Sequence, residues 1–286
     1  MGWALLSVVA TSALFFLMRG ATESLDSRYV VLLRFAGTFA IAAPLFVALP
    51  PARRTLRLSR PRLHLMRGLL FFVSAHLGIY AIAHLELVTA TILMFTAPLF
   101  ATLLGATLLG QPVGARRIAA LATGFVGVVI VLRPTGAPTG DPTVWAMAAA
   151  LGSAVLFAGA LIMSRSVSAA DGPLSTLLTS SGLTALASIP LAAPVILWPL
   201  PGTTLLLLLA MILTGMVRMF ADIRAYSAGD AAVIAPIVYL RLVFVAIGGY
   251  LIWGEIPKGN DLIGAAVIIC AALYIAQREA RLRKSG

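Results

Sequence analysis

The sequence predicts an all-α integral membrane protein whose ten transmembrane helices form an inverted five-plus-five repeat. Composition, the spacing of apolar segments and similarity between the two halves of the chain support this fold class. The 286 residues are 60% hydrophobic and 11% charged, and the mean hydropathy is +1.02. A soluble core does not need so much apolar surface. Ten apolar segments of about 20 residues would fill roughly 200 positions, which leaves no room for an extramembrane domain.

Apolar runs separated by charged or proline-rich connectors define the predicted spans. The run 172–217 carries no charge but is too long for one crossing, and Pro190, Pro194 and Pro199 divide it into two. The first apolar run lacks a preceding basic region and a cleavage motif, so we interpret it as a span rather than a signal peptide. The predicted spans cover residues 2–19, 29–49, 65–84, 87–109, 116–132, 143–163, 174–198, 204–226, 231–253 and 259–277.

The basic residues lie mainly in connectors on one predicted face of the membrane. Lys and Arg number 21 against 10 acidic residues, which gives a net charge of +11. In a soluble chain this excess would suggest nucleic acid, but here it follows the positive-inside rule, so no nucleic-acid partner is expected. The basic residues at 53–62 and 278–284 share that face. We therefore expect a multi-pass protein of a bacterial-type inner membrane with both termini cytoplasmic.

The two halves of the chain resemble each other when one is shifted by about 141 to 145 positions. The aligned positions include Phe95 with Tyr239, Asp26 with Asp171, and Leu109-Gly110-Gln111 with Trp253-Gly254-Glu255. Each half has five spans, an odd number, so the second copy enters the membrane from the opposite side. We therefore divide the chain into a first unit, residues 1–136, and a second unit, residues 137–286.

Several segments carry a family resemblance that covers essentially the whole chain. The third and fourth helices of the EamA family, in the drug/metabolite transporter (DMT) superfamily, resemble residues 80–86, 95–99 and 108–111. The second half repeats the pattern at residues 225–230, 239–242 and 253–255. One branch of the family includes carriers for S-adenosylmethionine and riboflavin. Its sequence motifs resemble Arg34-Phe35 and Leu240-Arg241-Leu242 of this chain. The resemblance implies a transporter with a central cavity lined by helices of both halves.

Four charged residues lie deep in predicted spans, namely Arg34, Arg218, Asp222 and Arg241. Placing an Arg at mid-span costs about 2.5–3.5 kcal/mol on insertion scales, so such a residue usually faces protein or water. Arg218 and Asp222 are four residues apart, which favours an ion pair on one helix face. The pair either neutralises itself or lines the cavity and exchanges partners with substrate. Arg34 either contacts substrate or extends to the outer headgroups, and His76 is either a proton carrier or a buried, hydrogen-bonded side chain.

Aromatic and hydroxyl side chains supply the rest of the candidate binding site. Thr91 and Phe95 lie on or near one face of the fourth span, and Tyr239 holds the repeat-related place of Phe95 in the ninth. Tyr80 and Phe157 are further candidates, because an aromatic ring stacks on a flat or cationic substrate. Each of these side chains is also consistent with ordinary helix packing.

Two of the prolines in predicted spans are expected to interrupt their helices, and the sequence has none of the common catalytic or cofactor-binding motifs. Pro98 and Pro236 are each predicted to interrupt a span. The single cysteine, Cys270, excludes an intrachain disulfide and a multi-cysteine metal site. The sequence has no H-E-x-x-H, G-x-G-x-x-G, P-loop or C-x-x-C pattern. We therefore expect no cofactor, no metal and no enzyme activity.

These observations predict a transporter that moves a small polar or zwitterionic organic metabolite by alternating access. An amino acid or derivative is favoured, because three deep Arg residues against one Asp favour a substrate carboxylate. The alternatives are a flat or cationic substrate, such as a drug or a compound like riboflavin or S-adenosylmethionine, and a membrane receptor or assembly subunit. The expected partners are the small-molecule substrate and the lipid bilayer. A proton is a candidate coupling ion, and the chain is expected to be a monomer or a homodimer.

Overall fold

The computed structural model describes residues 2–48, 58–108, 114–132, 141–171, 173–228 and 231–284, and these ranges form eleven α-helices. The helices are α1 (Gly2–Ser24), α2 (Ser27–Ala48), α3 (Pro61–His84), α4 (Leu87–Met94), α5 (Ala97–Leu108), α6 (Ala115–Leu132), α7 (Pro142–Asp171), α8 (Pro173–Ala192), α9 (Gly202–Ala228), α10 (Ala231–Trp253) and α11 (Gly259–Lys284). Part of the predicted basic connector 53–62, namely residues 53–57, lies outside the described ranges. The segment 109–111 and the boundary between residues 136 and 137 also lie outside them.

The described helices are long and apolar enough to cross a membrane many times. Nine segments of at least 18 residues qualify, one of which combines α4 and α5. A shorter apolar segment, Ile237–Trp253, covers most of α10. The predicted all-helical membrane fold is confirmed. The seventh span was predicted to reach residue 198, but α8 ends at Ala192 and a single 3-10 turn follows it.

The fourth span is broken in its middle at Phe95 and Thr96. Pro98 has no N–H to donate, and its ring would clash with a carbonyl one turn back if the helix continued. The chain instead starts a new helix at Ala97, and the Thr96 hydroxyl donates to the Leu93 carbonyl at 2.5 Å. The predicted interruption at Pro98 is therefore confirmed.

The predicted interruption at Pro236 is wrong, since α10 runs unbroken from Ala231 to Trp253. Pro236 lies in the second turn of this helix, close to the end where the first four N–H groups have no intrahelical acceptor. Its missing N–H therefore removes one bond near a helix end. Pro98, in contrast, lies near the middle of its span.

The main helix contacts join the first five spans to the last five. Helix α1 packs on α9, α2 on α8, α3 on α7, and α6 on α11, while α10 packs on α1 and α7 packs on α4 and α5. If each span of the first half is matched with the span five places later, α3 corresponds to α9 and α1 to α7. The α3–α7 contact then corresponds to the α9–α1 contact. In the same way, the contacts of α7 with α4 and α5 correspond to the contact of α1 with α10. This exchange of partners is the pattern expected of an inverted repeat.

The α6–α11 crossing shows how closely two helices approach. A Cβ added at Gly127 would lie 3.0 Å from the Gly264 carbonyl oxygen, and one added at Gly264 would lie 2.8 Å from that of Gly127. Backbone meets backbone at this crossing, so both positions require glycine.

Candidate functional site

An aromatic–arginine cluster, consisting of Phe15, Phe95, Tyr239 and Arg241, lies where the fourth span breaks. The Arg241 guanidinium carbon is 4.5 Å from the centroid of the Phe95 ring and 5.7 Å from that of Phe15. The Phe95 and Tyr239 ring centroids are 5.2 Å apart, at 45° between planes. The structure therefore brings together the repeat-related pair Phe95 and Tyr239 and adds Phe15, which sequence reasoning missed.

Local structure places each member of this cluster. Phe95 is the C-cap residue that follows α4, and its side chain is buried. Arg241 lies ten residues from the start of α10 and twelve from its end, close to the middle of the span. Thr91 is buried one turn before Phe95, but its hydroxyl donates to the Leu87 carbonyl at 2.7 Å within its own helix. Thr91 therefore serves its helix rather than the cluster.

A second group, the carboxylate cluster, consists of Ser7, Arg218 and Asp222. Arg218 Nη1 lies 3.1 Å from Asp222 Oδ2, so the predicted pairing of these residues is present. The Ser7 hydroxyl on α1 donates to the other oxygen of the same carboxylate. The two charged side chains are 35% and 33% exposed. The pair is therefore accessible rather than sealed in the core. Ser7 was missed because it is 215 residues from Asp222.

Arg34 faces the protein rather than the headgroups. Its Nη1 lies 3.1 Å from the Met18 sulfur, and its guanidinium carbon is 5.0 Å from the Phe35 ring centroid. Arg34 therefore has partners within the bundle, on α1 and α2.

The remaining candidates have local partners. His76 Nε2 lies 2.9 Å from the Ser188 hydroxyl, and its ring contacts Phe72 with centroids 4.9 Å apart. The Tyr80 ring lies on His84 with centroids 4.2 Å apart.

Phe157 is linked to Arg34 through other rings. It is 40% exposed, and its centroid is 6.5 Å from that of Phe71. Phe71 in turn lies 5.6 Å from Phe35, on which Arg34 stacks.

A buried polar group that sequence reasoning missed joins α3, α7 and α8. His64 Nε2 lies 2.8 Å from Asp171 Oδ2, and His64 Nδ1 lies 3.0 Å from the Thr179 hydroxyl. The Ser59 hydroxyl donates to Asp171 at 2.6 Å, and its backbone N–H also donates. These hydrogen bonds, that from the Ser59 hydroxyl above all, hold the pKa of the Asp171 carboxyl below its usual value. One turn along α3, Arg67 donates to the Thr176 carbonyl at 2.7 Å.

In the part of the chain that the structure describes, no group of three or more His, Cys, Asp or Glu side chains could hold a metal ion.

Comparison with known proteins connects this geometry to a family. A model of the EamA-like transporter family matches residues 1–133 and, a second time, residues 144–277. The chain belongs to the EamA-like transporter family. It is therefore a multi-pass membrane transporter and not an enzyme.

Curated EamA relatives carry several substrates. The chain is 34% identical to an S-adenosylmethionine uptake transporter of Rickettsia bellii, over 97% of this chain and 93% of that protein. It is 30% identical to a riboflavin transporter of Vibrio cholerae, over 90% and 85%, and 27% identical to the pseudopaline exporter CntI of Pseudomonas aeruginosa, over 96% and 95%.

A solved structure shares the fold of this EamA chain. It superposes with a TM-score of 0.62 over 96% of both chains, at 21% sequence identity.

Proposed function

We propose that this EamA transporter moves a zwitterionic amino-acid derivative that carries a flat ring, by alternating access across a bacterial inner membrane with both termini cytoplasmic. S-adenosylmethionine is the first compound to test. The observation that carries the proposal is the Arg218–Asp222 pair. Its carboxylate also accepts from Ser7 on α1, the helix that carries Phe15 of the aromatic–arginine cluster.

The ion pair matches the head of an amino acid. A carboxylate and an ammonium group next to each other need a cation and an anion that are equally close, and Arg218 and Asp222 are 3.1 Å apart. Because both side chains are about one third exposed, water or substrate can reach them. The substrate carboxylate replaces Asp222 at Arg218, and the ammonium group replaces Arg218 at Asp222.

The aromatic–arginine cluster suits the other end of the substrate. Ser7 and Phe15 are eight residues apart on α1, which is about 12 Å along the helix axis. An amino acid alone is too short to reach both clusters, whereas a derivative with a flat ring is long enough. Aromatic faces bind a flat ring by stacking, and the planar guanidinium of Arg241 can stack on the same ring.

The relatives support this combination of groups. S-adenosylmethionine carries an amino-acid head, a sulfonium cation and an adenine ring, and a protein 34% identical to this chain is named as its uptake transporter. A second candidate is a flat neutral substrate of the riboflavin type. The rings of Phe15, Phe95 and Tyr239 could stack on it, and its binding would not require the charge of Asp222. Similarity to a riboflavin transporter supports this alternative.

Flux into proteoliposomes tests the proposal with three labelled compounds. We expect S-adenosylmethionine to enter faster than methionine, which has only the head, and faster than riboflavin, which has only the ring. Asp222→Asn removes a charge-assisted contact of about 1.5–3 kcal/mol and should lower S-adenosylmethionine flux about tenfold or more. Arg241→Gln should weaken the same flux with little loss of protein from the membrane.

Asp141→Asn provides the matched control, because Asp141 precedes α7 and accepts the Thr143 N–H at 2.8 Å outside both clusters. Its flux should equal that of the unmodified protein. Riboflavin entry that Asp222→Asn leaves intact, without entry of S-adenosylmethionine, would establish the second candidate instead.

A further inference from the structure

Glu255 joins the connector after α10 to the start of α4 and to α1. Its Oε2 accepts the backbone N–H of Leu87, the first residue of α4, at 2.7 Å. Its Oε1 lies 3.8 Å from Arg19 Nη2 on α1. The side chain is only 10% exposed. A buried carboxylate thus connects the predicted second unit to the first at the end of the bundle where α1 and α3 end and α4 begins, which we call the Glu255 end.

Arg19 is held more tightly by α3 than by Glu255. Its Nη1 donates to the Ile82 carbonyl at 2.5 Å and to the Leu85 carbonyl at 3.0 Å. The distance of 3.8 Å to Glu255 is longer than either. Arg19 therefore keeps its main partners whether or not Glu255 carries a charge, and it compensates the buried carboxylate weakly.

The other charges around Glu255 are engaged elsewhere. Lys258 Nζ pairs with Glu86 at 3.3 Å, and Glu23 accepts the indole N–H of Trp253. On α11, Asp261 accepts the backbone N–H of Lys258 at 3.2 Å. At the neighbouring helix ends, Asp26 pairs with Arg28 at 2.9 Å, and His84 Nδ1 lies 2.8 Å from the Tyr80 carbonyl oxygen.

Burial has the larger effect on Glu255. It raises the pKa of the Glu255 carboxyl above its ordinary value, and the charge of Glu86 adds to this, while the Leu87 N–H and Arg19 act in the opposite direction. The buried carboxyl group binds its proton more tightly than the same group does in water. Binding of the proton therefore stabilises the state in which the group is buried.

We propose that Glu255 is a proton-binding site, and that the bound proton holds the Glu255 end of the transporter closed. This rests on the proposed alternating access. The protonated carboxyl group keeps a carbonyl oxygen for the Leu87 N–H but places no charge among buried groups. The deprotonated group is better solvated when the connector moves away from α1 and α4. Low pH therefore favours the closed state of this end, and high pH favours the open state. A strong ion pair with Arg19 would have the opposite effect, because it would stabilise the closed state when Glu255 is charged.

The distance between two spin labels tests this without any substrate. Ser24 and Asn260 are exposed at this end, on α1 and α11. Labels at Ser24→Cys and Asn260→Cys, in a Cys270→Ala background in nanodiscs, should show a short and a long distance. The ratio of long to short should rise with pH, by at most about tenfold per pH unit because one proton is linked. A ratio that does not change with pH, or that falls, overturns the proposal.

Two Glu→Gln variants identify the group responsible. Glu255→Gln keeps the acceptor for Leu87 but cannot ionise, so the short distance should dominate at every pH. Glu86→Gln is the matched control, and its ratio should still rise with pH. A pH response that persists in Glu255→Gln assigns the proton elsewhere. The labels report opening directly and need no substrate. If the distance ratio responds to pH as expected but the protein moves none of the three compounds, the proposed substrate is contradicted and the proposed proton-binding site is still supported.

Discussion

At the scale of single residues, Asp222 has two partners rather than one. Arg218 holds one carboxylate oxygen and Ser7 the other. Removing Arg218 thus leaves Asp222 with a hydrogen bond but no counter-ion. The energies of these residues are therefore coupled.

A double-mutant cycle measures this coupling. Arg218→Ala should lower thermal stability in detergent more than the combined Arg218→Ala/Asp222→Ala change, because the single change leaves a carboxylate without its cation. Since both side chains are about one third exposed, we expect a coupling energy of only about 0.5–1 kcal/mol.

Arg224→Ala is the control on the same helix, because Arg224 stacks on Phe220 at 5.2 Å and should show no coupling to Asp222. If the double variant is no more stable than Arg218→Ala, the two residues act separately.

Residue chemistry was predictable where it depended on one helix or on the repeat. The spacing of Arg218 and Asp222 indicated their contact, and the alignment of Phe95 with Tyr239 indicated two positions that the structure places in contact. Ser7, Glu255 and the His64–Asp171 pair were not predicted, because their partners lie 215, 168 and 107 residues away. Such contacts depend on how helices pack, which hydropathy does not show.

At the scale of helices, Asp171 at the end of α7 forms hydrogen bonds with Ser59, which precedes α3, and with His64 near the start of α3. Its repeat-related counterpart Asp26 instead pairs with Arg28, two residues away, at the surface. Two aligned carboxylates thus have different roles. The sequence predicted where most spans lie, but not this asymmetry, since only Asp171 is covered by a packed helix.

Asp171→Asn should lower the melting temperature at neutral pH, and Asp26→Asn should lower it less. Because the folded protein holds the pKa of Asp171 below its ordinary value, the stabilisation is complete above the pKa of the unfolded chain, about 3.9, and is lost as pH falls through the folded value.

The difference in melting temperature between the unmodified protein and Asp171→Asn should therefore shrink on acidification below about pH 4, as measured by thermal unfolding across pH. A difference that stays constant would mean that the charge of Asp171 contributes nothing.

At the scale of the whole molecule, the exchange of helix partners between the two halves fits alternation between two arrangements. The α3–α7 and α9–α1 contacts correspond to each other when the helices of one half are matched in order with those of the other, so an inverted repeat would predict that each half can adopt the conformation of the other. The direction in which the bundle sits in the membrane then decides which end faces the cytoplasm.

Four glycines provide matched positions for measuring that direction. A Cβ added at Gly2, Gly114, Gly202 or Gly259 would meet nothing within 4 Å, so cysteine fits at each. In a Cys270→Ala background, an impermeant maleimide added to intact cells should label Gly202→Cys and Gly259→Cys but not Gly2→Cys or Gly114→Cys. The reverse pattern would place both termini outside.

The break in the fourth span also has an electrostatic consequence. A helix carries a partial negative charge at its carboxyl end, which favours a nearby cation by about 0.3–1 kcal/mol at exposed sites and more where water is excluded. Helix α4 ends at Met94 and Phe95 is its C-cap, and the Arg241 guanidinium stacks on the ring of Phe95. We therefore expect the helix dipole of α4 to act on this mid-membrane cation. Any movement that joined α4 and α5 into one straight helix would remove this end, so the bend of the fourth span and the cost of keeping Arg241 charged change together.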